Sequence, residues 1–172
     1  HRLIEEIGLC SPDIEKALDT LERQGKTAVL LANHAEVLAI FAVADTLRET
    51  SRQAIADLHS LGVKTLMLTG DNTHTAEAIA RAVGIDEARG NLLPEDKLST
   101  IESLLTHRKG GKVGMVGDGI NDAPSLARAD IGFAMGAAGT DTAIETADMA
   151  LMDDDLRKIP AFVRLSQATS DV

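Results

Sequence analysis

Two aspartates, Asp118 and Asp122, bracket the stretch Gly117-Asp118-Gly119-Ile120-Asn121-Asp122-Ala123-Pro124. The run Lys112–Val116, apolar after its first residue, leads into it. That pattern reads as a buried strand stopping at a tight, carboxylate-rich turn, with Pro124 opening a helix. Acids at this spacing can share one hard cation, and Mg²⁺ takes one or two carboxylates together with water and phosphate oxygens. The glycines let backbone approach a ligand, and Asn121 adds a neutral amide donor. Taken alone, the same residues also describe an Asx-rich surface turn.

A second strand candidate, Val63–Leu68, ends in Thr69-Gly70-Asp71-Asn72. Thr69 supplies a hydroxyl and Gly70 an unobstructed N–H, both suited to a phosphoryl oxygen. Asp71 is a third carboxylate, with capping of the turn Asn72–Thr75 as its competing role. Between the two motifs stands Pro94-Glu95-Asp96-Lys97, a helix start that offers Lys97 as a point positive charge. Each motif alone is weak, and a solvated surface charge is the plain alternative for Arg48 and Lys97. A threonine, a lysine and paired aspartates at successive strand ends make up the parts of a phosphoryl-transfer site.

The elements that must position these residues follow from periodicity. Ser11-Pro12-Asp13 starts a helix whose apolar face is Ile14, Ala17, Leu18 and Leu21, ended by Gly25. Thr27–Ala32 and Val37–Ala44 flank Asn33-His34-Ala35-Glu36 as a β-hairpin. Beyond Asp45 the pattern alternates. Helices are expected near Ser51–Leu61, Thr75–Val83, Glu95–His107, Asp122–Arg128 and Asp141–Ala147, and from about Leu156 to Ala168 with a kink or late start at Pro160. Strands are expected at Val63–Leu68, Asn91–Leu93, Lys112–Val116, Ile131–Ala134 and Met149–Leu151. Such alternation implies parallel strands with right-handed crossovers, a doubly wound α/β sheet that binds ligands at its carboxyl edge.

In this order, TGDN, PEDK and GDGINDAP, followed by GTDTAIETADMALM, resemble the phosphorylation domain of P-type cation-transporting ATPases, within the haloacid-dehalogenase-like superfamily. Ala44-Asp45-Thr46-Leu47-Arg48 matches the family's Asp-x-x-Arg hinge. The tail is most similar to the heavy-metal subgroup, the zinc/cadmium/lead exporters. The resemblance implies residues 1–44 as the C-terminal part of a nucleotide-binding domain and residues 45–172 as the phosphorylation domain. It implies Asp118 as a Mg²⁺ ligand supported by Asp122, and Thr69, Gly70 and Asn121 as holders of phosphoryl oxygens. Lys97 would offset equatorial charge, while Asp71, Asp45 and Arg48 would dock nucleotide and close the hinge. ATP and Mg²⁺ are the implied ligands. The implied partners are the membrane, actuator and nucleotide-binding domains of one polypeptide, on the cytoplasmic face of the plasma membrane, with a divalent heavy metal bound elsewhere.

One departure is informative. The family forms its aspartyl-phosphate within a DKTGT sequence, and this chain contains none. The strand that carries that aspartate lies between the TGD and GDGIND strands in the superfamily, so an open slot is expected there. It would be filled by a separate chain piece, a swapped partner, or Thr27–Ala32 rearranged. A piece of a larger polypeptide is therefore the expected reading. The alternatives are a haloacid-dehalogenase-type phosphatase and a non-catalytic Mg²⁺- and phosphate-binding fragment.

Composition narrows the rest. The 172 residues carry 27 acidic and 17 basic side chains, a net charge of −10, which argues against nucleic acid and anionic membrane surfaces. Aromatics are 2% of residues, with no Trp or Tyr, so the core must be aliphatic. Cys10 is the single cysteine, which excludes an internal disulfide and suits a reducing compartment. The five histidines, His1, His34, His59, His74 and His107, lack ligand spacing. The longest apolar run, Val37–Ala44, falls short of the ~20 residues a membrane span needs. No signal peptide is visible, and the start at His1 suggests a cut boundary.

Overall fold

The computed structural model describes residues 11–24, 26–43, 47–108, 110–118, 120–136 and 141–170. Cys10, Gly25, Ala44, Asp45, Thr46, Gly119, Gly139 and Thr140 lie outside the described residues.

Helix α1 (Pro12–Arg23) begins as its sequence requires: Ser11 Oγ accepts the Ile14 N–H at 3.4 Å, and Pro12 occupies the first turn. Its buried residue is Leu18. Strands β1 (Thr27–Ala32) and β2 (Val37–Val43) form an antiparallel hairpin with Leu30 opposite Ile40 and Val29 opposite Phe41. The turn is an Asx turn: Asn33 Oδ1 accepts the N–H groups of Ala35 and Glu36 at 2.7 and 2.8 Å. Ala17 and Leu21 of α1 share a groove with Ile40. On the opposite face, Val29, Leu31, Phe41 and Val43 are each about half exposed.

The alternating part follows: α2 (Glu49–Ser60), β3 (Leu66–Leu68), α3 (Thr73–Val83), β4 (Glu87–Arg89), α4 (Pro94–His107), β5 (Gly114–Gly117), a 3₁₀ turn (Ile120–Asp122), α5 (Ala123–Arg128), β6 (Ile131–Met135), α6 (Asp141–Thr146), β7 (Met149–Leu151) and α7 (Lys158–Ser170). Strand β3 pairs with β4, and β5, β6 and β7 form a three-stranded sheet; every one of these pairings is parallel. Successive residues of β6 point to opposite faces, so Phe133 and Ala134 enter different cores. Ala134 packs with Ile101, Met115, Leu126 and Ala143, while Phe133 packs with Leu151 and Ile159. The Phe133 and Phe162 rings meet edge to face at 5.7 Å and 77°. With few aromatics, small residues pack the sheet closely: a Cβ on Gly132 would stand 2.9 Å from Leu126 O.

One device recurs at the entry edge of the parallel strands. Asp86, Asp130 and Asp148 each immediately precede a strand, β4, β6 and β7 respectively. Each carboxylate accepts a backbone N–H at the start of the neighbouring strand: Thr65 at 2.7 Å, Val113 at 2.8 Å and Gly132 at 2.8 Å. These bonds satisfy donors that the ladder leaves open and set the stagger of adjacent strands. The Thr65 N–H holds Asp86 below the usual carboxylate range, and the Val113 N–H, aided by Arg108, does the same for Asp130.

Two expectations need correction. The short strand near Asn91–Leu93 lies earlier, at Glu87–Arg89. Asn91 adopts a left-handed φ of 57°, and its N–H turns away to bond Asp71 O at 2.6 Å, so these residues form a loop. Strand β3 is only half the expected Val63–Leu68, because the Val63 N–H returns to Leu58 O and closes the end of α2. Of the two outcomes expected at Pro160, the late start is the one found: helix α7 begins at Lys158, which puts Pro160 in the first turn, where its missing N–H breaks no helical bond. Asp155 caps this start through the Arg157 N–H at 3.0 Å, and the Arg157 guanidinium holds its carboxyl down to about 2.

Among the described residues no ladder joins β3 to β5, so the strands that end in the TGD and GDGIND turns belong to separate sheets. They communicate through packing: Leu68 of β3 rests on the cluster containing Met115 of β5. Strand β1 is hydrogen-bonded to β2, which removes Thr27–Ala32 as the occupant of the expected slot.

Candidate active site

The carboxyl ends of β3 and β5 carry the chemistry-bearing residues. After Leu68 the chain turns so that Thr69 Oγ1 donates to Asp71 Oδ2 at 3.1 Å and accepts the Asp71 N–H at 3.1 Å. Asn72, not Asp71, caps α3, through Oδ1 and the Thr75 N–H at 2.9 Å. Asp71 is thereby left to the loop itself. Gly70 is exposed on this turn.

Residues 89–92 hold the turn from behind. The Thr69 N–H donates to Arg89 O at 3.0 Å, the Leu92 N–H donates to Thr69 O at 3.1 Å, and Asn91 Nδ2 donates to Thr73 Oγ1 at 3.0 Å. A Cβ on Gly90 would stand 2.7 Å from Asp71 O and from Thr73 N, so only glycine fits this approach. This clamp was not anticipated from the sequence. Its signal was the Gly90-Asn91 pair, a turn dipeptide that an apolar reading of Asn91–Leu93 overrode.

At the end of β5, the 3₁₀ turn folds back onto the strand. A Cβ on Gly117 would lie 2.7 Å from Asp122 Cβ, so the glycine is what allows Asp122 to sit against the strand end. Asp122 is buried there and receives Lys97 Nζ on Oδ1 at 2.8 Å; the two side chains are 10% and 17% exposed. Lys97 and Asp122 are thus brought together from the first turns of α4 and α5. Asn121 and Asp118 are exposed. Asp118 lines a cavity of about 260 Å³ with Leu47, Arg48, Ser51, Met135, Asp154 and Leu156. Arg48 and Asp118 therefore share one cavity, whereas Thr69, Gly70 and Asp71 occupy the end of the other sheet. Asp154 was not anticipated there; its φ of 54° marks a tight turn after β7.

The donor set suits a hard cation in one mode. Asp118 offers an exposed carboxylate that pairs with no described residue, and Asp122 retains an oxygen beyond the one held by Lys97. One or two carboxylates completed by water and phosphate oxygens is the Mg²⁺ pattern. Among the described residues, no group of three or more His, Cys, Asp or Glu side chains is placed to enclose a metal. A transition-metal cage is not formed by them.

Parallel strands joined by helices, with an aspartate turn and a threonine turn at their carboxyl ends, define an α/β fold whose ligand edge is that carboxyl edge. Residues 2–130 match the haloacid dehalogenase-like hydrolases, and the chain belongs to that family. Within it, the chain is homologous to heavy-metal P-type ATPases. It is 52% identical over 161 residues to a probable cadmium-transporting ATPase of Alkalihalophilus pseudofirmus, covering 93% of this chain and 22% of that protein. It is 50% identical over 174 residues to a probable cadmium-transporting ATPase of Staphylococcus aureus, covering 99% of this chain and 21% of the relative. The crystal structure of a zinc-transporting PIB-type ATPase in the E2.Pi state superposes with a TM-score of 0.77 at 44% identity, over 94% of this chain and 26% of that one. The chain thus spans about a fifth to a quarter of the length of these relatives. No helix among the described residues is long and apolar enough to cross a membrane.

Proposed function

We propose that this chain supplies the Mg²⁺- and phosphoryl-binding face of a P-type efflux ATPase for a divalent heavy metal, cadmium or zinc by analogy with its relatives. The observation that carries the reading is the part-buried Lys97–Asp122 pair, set against the end of β5 by Gly117, in the same turn as the exposed Asp118. In this reading residues 1–44 are the C-terminal part of a nucleotide-binding domain and residues 45–172 the phosphorylation domain. The face looks toward the cytoplasm from the plasma membrane.

The reaction passes the γ-phosphoryl of ATP to an aspartate carboxylate in a DKTGT segment, which these 172 residues do not contain. A carboxylate oxygen–phosphorus bond forms, the bond to the β,γ-bridging oxygen breaks, and ADP departs with that electron pair. Asp118, with support from Asp122, would hold Mg²⁺, which neutralises charge on the phosphate oxygens when bound. The Thr69 hydroxyl, the Gly70 N–H and the Asn121 amide donate to the transferring group. Lys97 offsets its equatorial charge, with Asp122 keeping the ammonium in place between turnovers. Arg48 borders the Asp118 cavity and, with Asp45 and Asp71, serves nucleotide docking and hinge closure.

Acid-stable label from γ-labelled ATP tests the proposal. The 172-residue chain alone is expected to take none. A longer polypeptide joining it to a DKTGT segment is expected to be labelled in a Mg²⁺-dependent way and to lose the label in Asp118→Ala. Label on the short chain, or label that survives Asp118→Ala, refutes the assignment.

A further inference from the structure

Helix α4, like α2 and α5, starts without a side-chain cap from its first flanking residue. Ser11 caps α1 and Asn72 caps α3 with side-chain oxygens, but the corresponding residue of α4 is Leu93, which has none. Its first turn is closed from inside. The Leu93 N–H donates to Asp96 Oδ2 at 2.9 Å, which is one half of a capping box whose other half is missing. The Asp96 and Lys97 N–H groups donate to Leu93 O at 3.0 and 3.2 Å. Leu93 is therefore held through both its N–H and its carbonyl.

That residue is a junction. Its predecessor, Leu92, donates to Thr69 O at 3.1 Å, and Lys97 reaches Asp122 Oδ1 at 2.8 Å. A single run of bonds thus leads from the Thr69 turn, through Leu92 and Leu93, to Asp96 and Lys97, and on to the turn after β5. Since no ladder joins β3 to β5 among the described residues, this run bridges the two sheets at their carboxyl edge. Asp96 is exposed and contributes to this run through its carboxylate.

We propose that Asp96 is a positioning residue: by closing the first turn of α4 it fixes Lys97 relative to both the Thr69 turn and Asp122. This rests on the reading that Lys97 serves a phosphoryl group. Asp96 touches no reacting atom. Its loss frays the turn that carries Lys97 and releases the ammonium toward solvent.

The experiment is site-resolved acetylation of the 172-residue chain, read by mass spectrometry, with Lys112 as internal reference. The Lys97 side chain is 17% exposed and that of Lys112 is 79% exposed, so their starting rates differ. Asp96→Ala is expected to raise the Lys97 rate about tenfold while leaving Lys112 unchanged. Asp96→Asn keeps an oxygen that accepts the Leu93 N–H and is expected to stay within about twofold of the parent. An unchanged Lys97 rate in Asp96→Ala overturns the proposal even if the melting temperature drops. So does a parallel rise at Lys112, which would report general loosening, or an Asn variant as reactive as Ala. Failure of the underlying site reading looks different: Lys97 responds to Asp96 as expected, but Lys97→Ala leaves phosphoenzyme formation in the longer ATPase intact.

Discussion

Replacing Lys97 by Met removes the ammonium but keeps an unbranched apolar stem, leaving the Asp122 carboxylate against the end of β5 without its partner. Removing one member of a buried ion pair costs about 3–5 kcal/mol, because the survivor is charged and poorly hydrated. The two side chains here retain 17% and 10% exposure, so some water reaches them and the lower end applies, about 3 kcal/mol. Asp122→Leu strands the lysine instead, whose longer stem can swing outward, and about 1–2 kcal/mol is expected. The double variant Lys97→Met/Asp122→Leu replaces the pair with apolar contact and should recover most of the loss. In a chain of this size each kcal/mol moves the melting temperature by about 2–4 °C, so the effects are resolvable. With no Trp or Tyr in the sequence, the transitions are followed by far-ultraviolet circular dichroism in urea and on heating. Refutation takes one form: single-variant losses that add to within about 0.5 kcal/mol, meaning the two groups do not interact. A double variant more stable than the parent would show that the charges are maintained at a cost in stability, as expected of a site that needs them.

Two further outcomes follow from the core and the sheet edges. Ser125 is fully buried in α5, and its Oγ has no partner among the described residues; Ser125→Ala removes an unpaired hydroxyl and should stabilise by about 1 kcal/mol in thermal unfolding, whereas a loss of that size would mean the hydroxyl is satisfied. Asp86, Asp130, Asp153 and Asp155 all have folded values below that of an ordinary carboxylate, so the folded state binds fewer protons than the unfolded one. Their contribution is complete above the unfolded value near 4 and is lost as pH falls toward about 2, the Asp155 value. The melting temperature should therefore fall over that window, less steeply in Asp130→Asn/Asp155→Asn, and an unchanged slope in that variant would contradict the cause.

Local signals made much of the architecture legible. Ser11-Pro12 and Gly84 mark helix ends through one residue's hydrogen bond or backbone freedom, and the helices fall where those residues put them: Gly84 closes α3 with a φ of 88°. The parallel strands could be read because their helices are amphipathic and their runs apolar. Strand β4 escaped because Glu87-Ala88-Arg89 has no apolar run and owes its conformation to pairing with Leu66–Leu68, a tertiary cause. The strand-entry aspartates escaped for a related reason. Asp86, Asp130 and Asp148 look like ordinary loop acids until the neighbouring strand places an N–H beside each of them.

The candidate site divides along the same line. Residue types and spacing pointed to Asp118, Asp122, Thr69, Gly70 and Lys97, because the chemistry of a phosphoryl group restricts which side chains can serve it. Spacing could not show how those residues are partitioned. Asp118 was read as the cation ligand, with Asp122 supporting it directly or by orienting it; Asp122 faces Lys97, and Asp118 borders a cavity with Arg48. The Thr69 turn and the turn after β5 end separate sheets, and among the described residues no ladder joins β3 to β5. A continuous sheet would fix the two turns by its own hydrogen bonds. Here that task passes to side-chain packing at Leu68, to the 89–92 clamp and to the first turn of α4. Those contacts tie the Thr69 turn to the turn that carries Lys97, and Lys97 to Asp122 after β5.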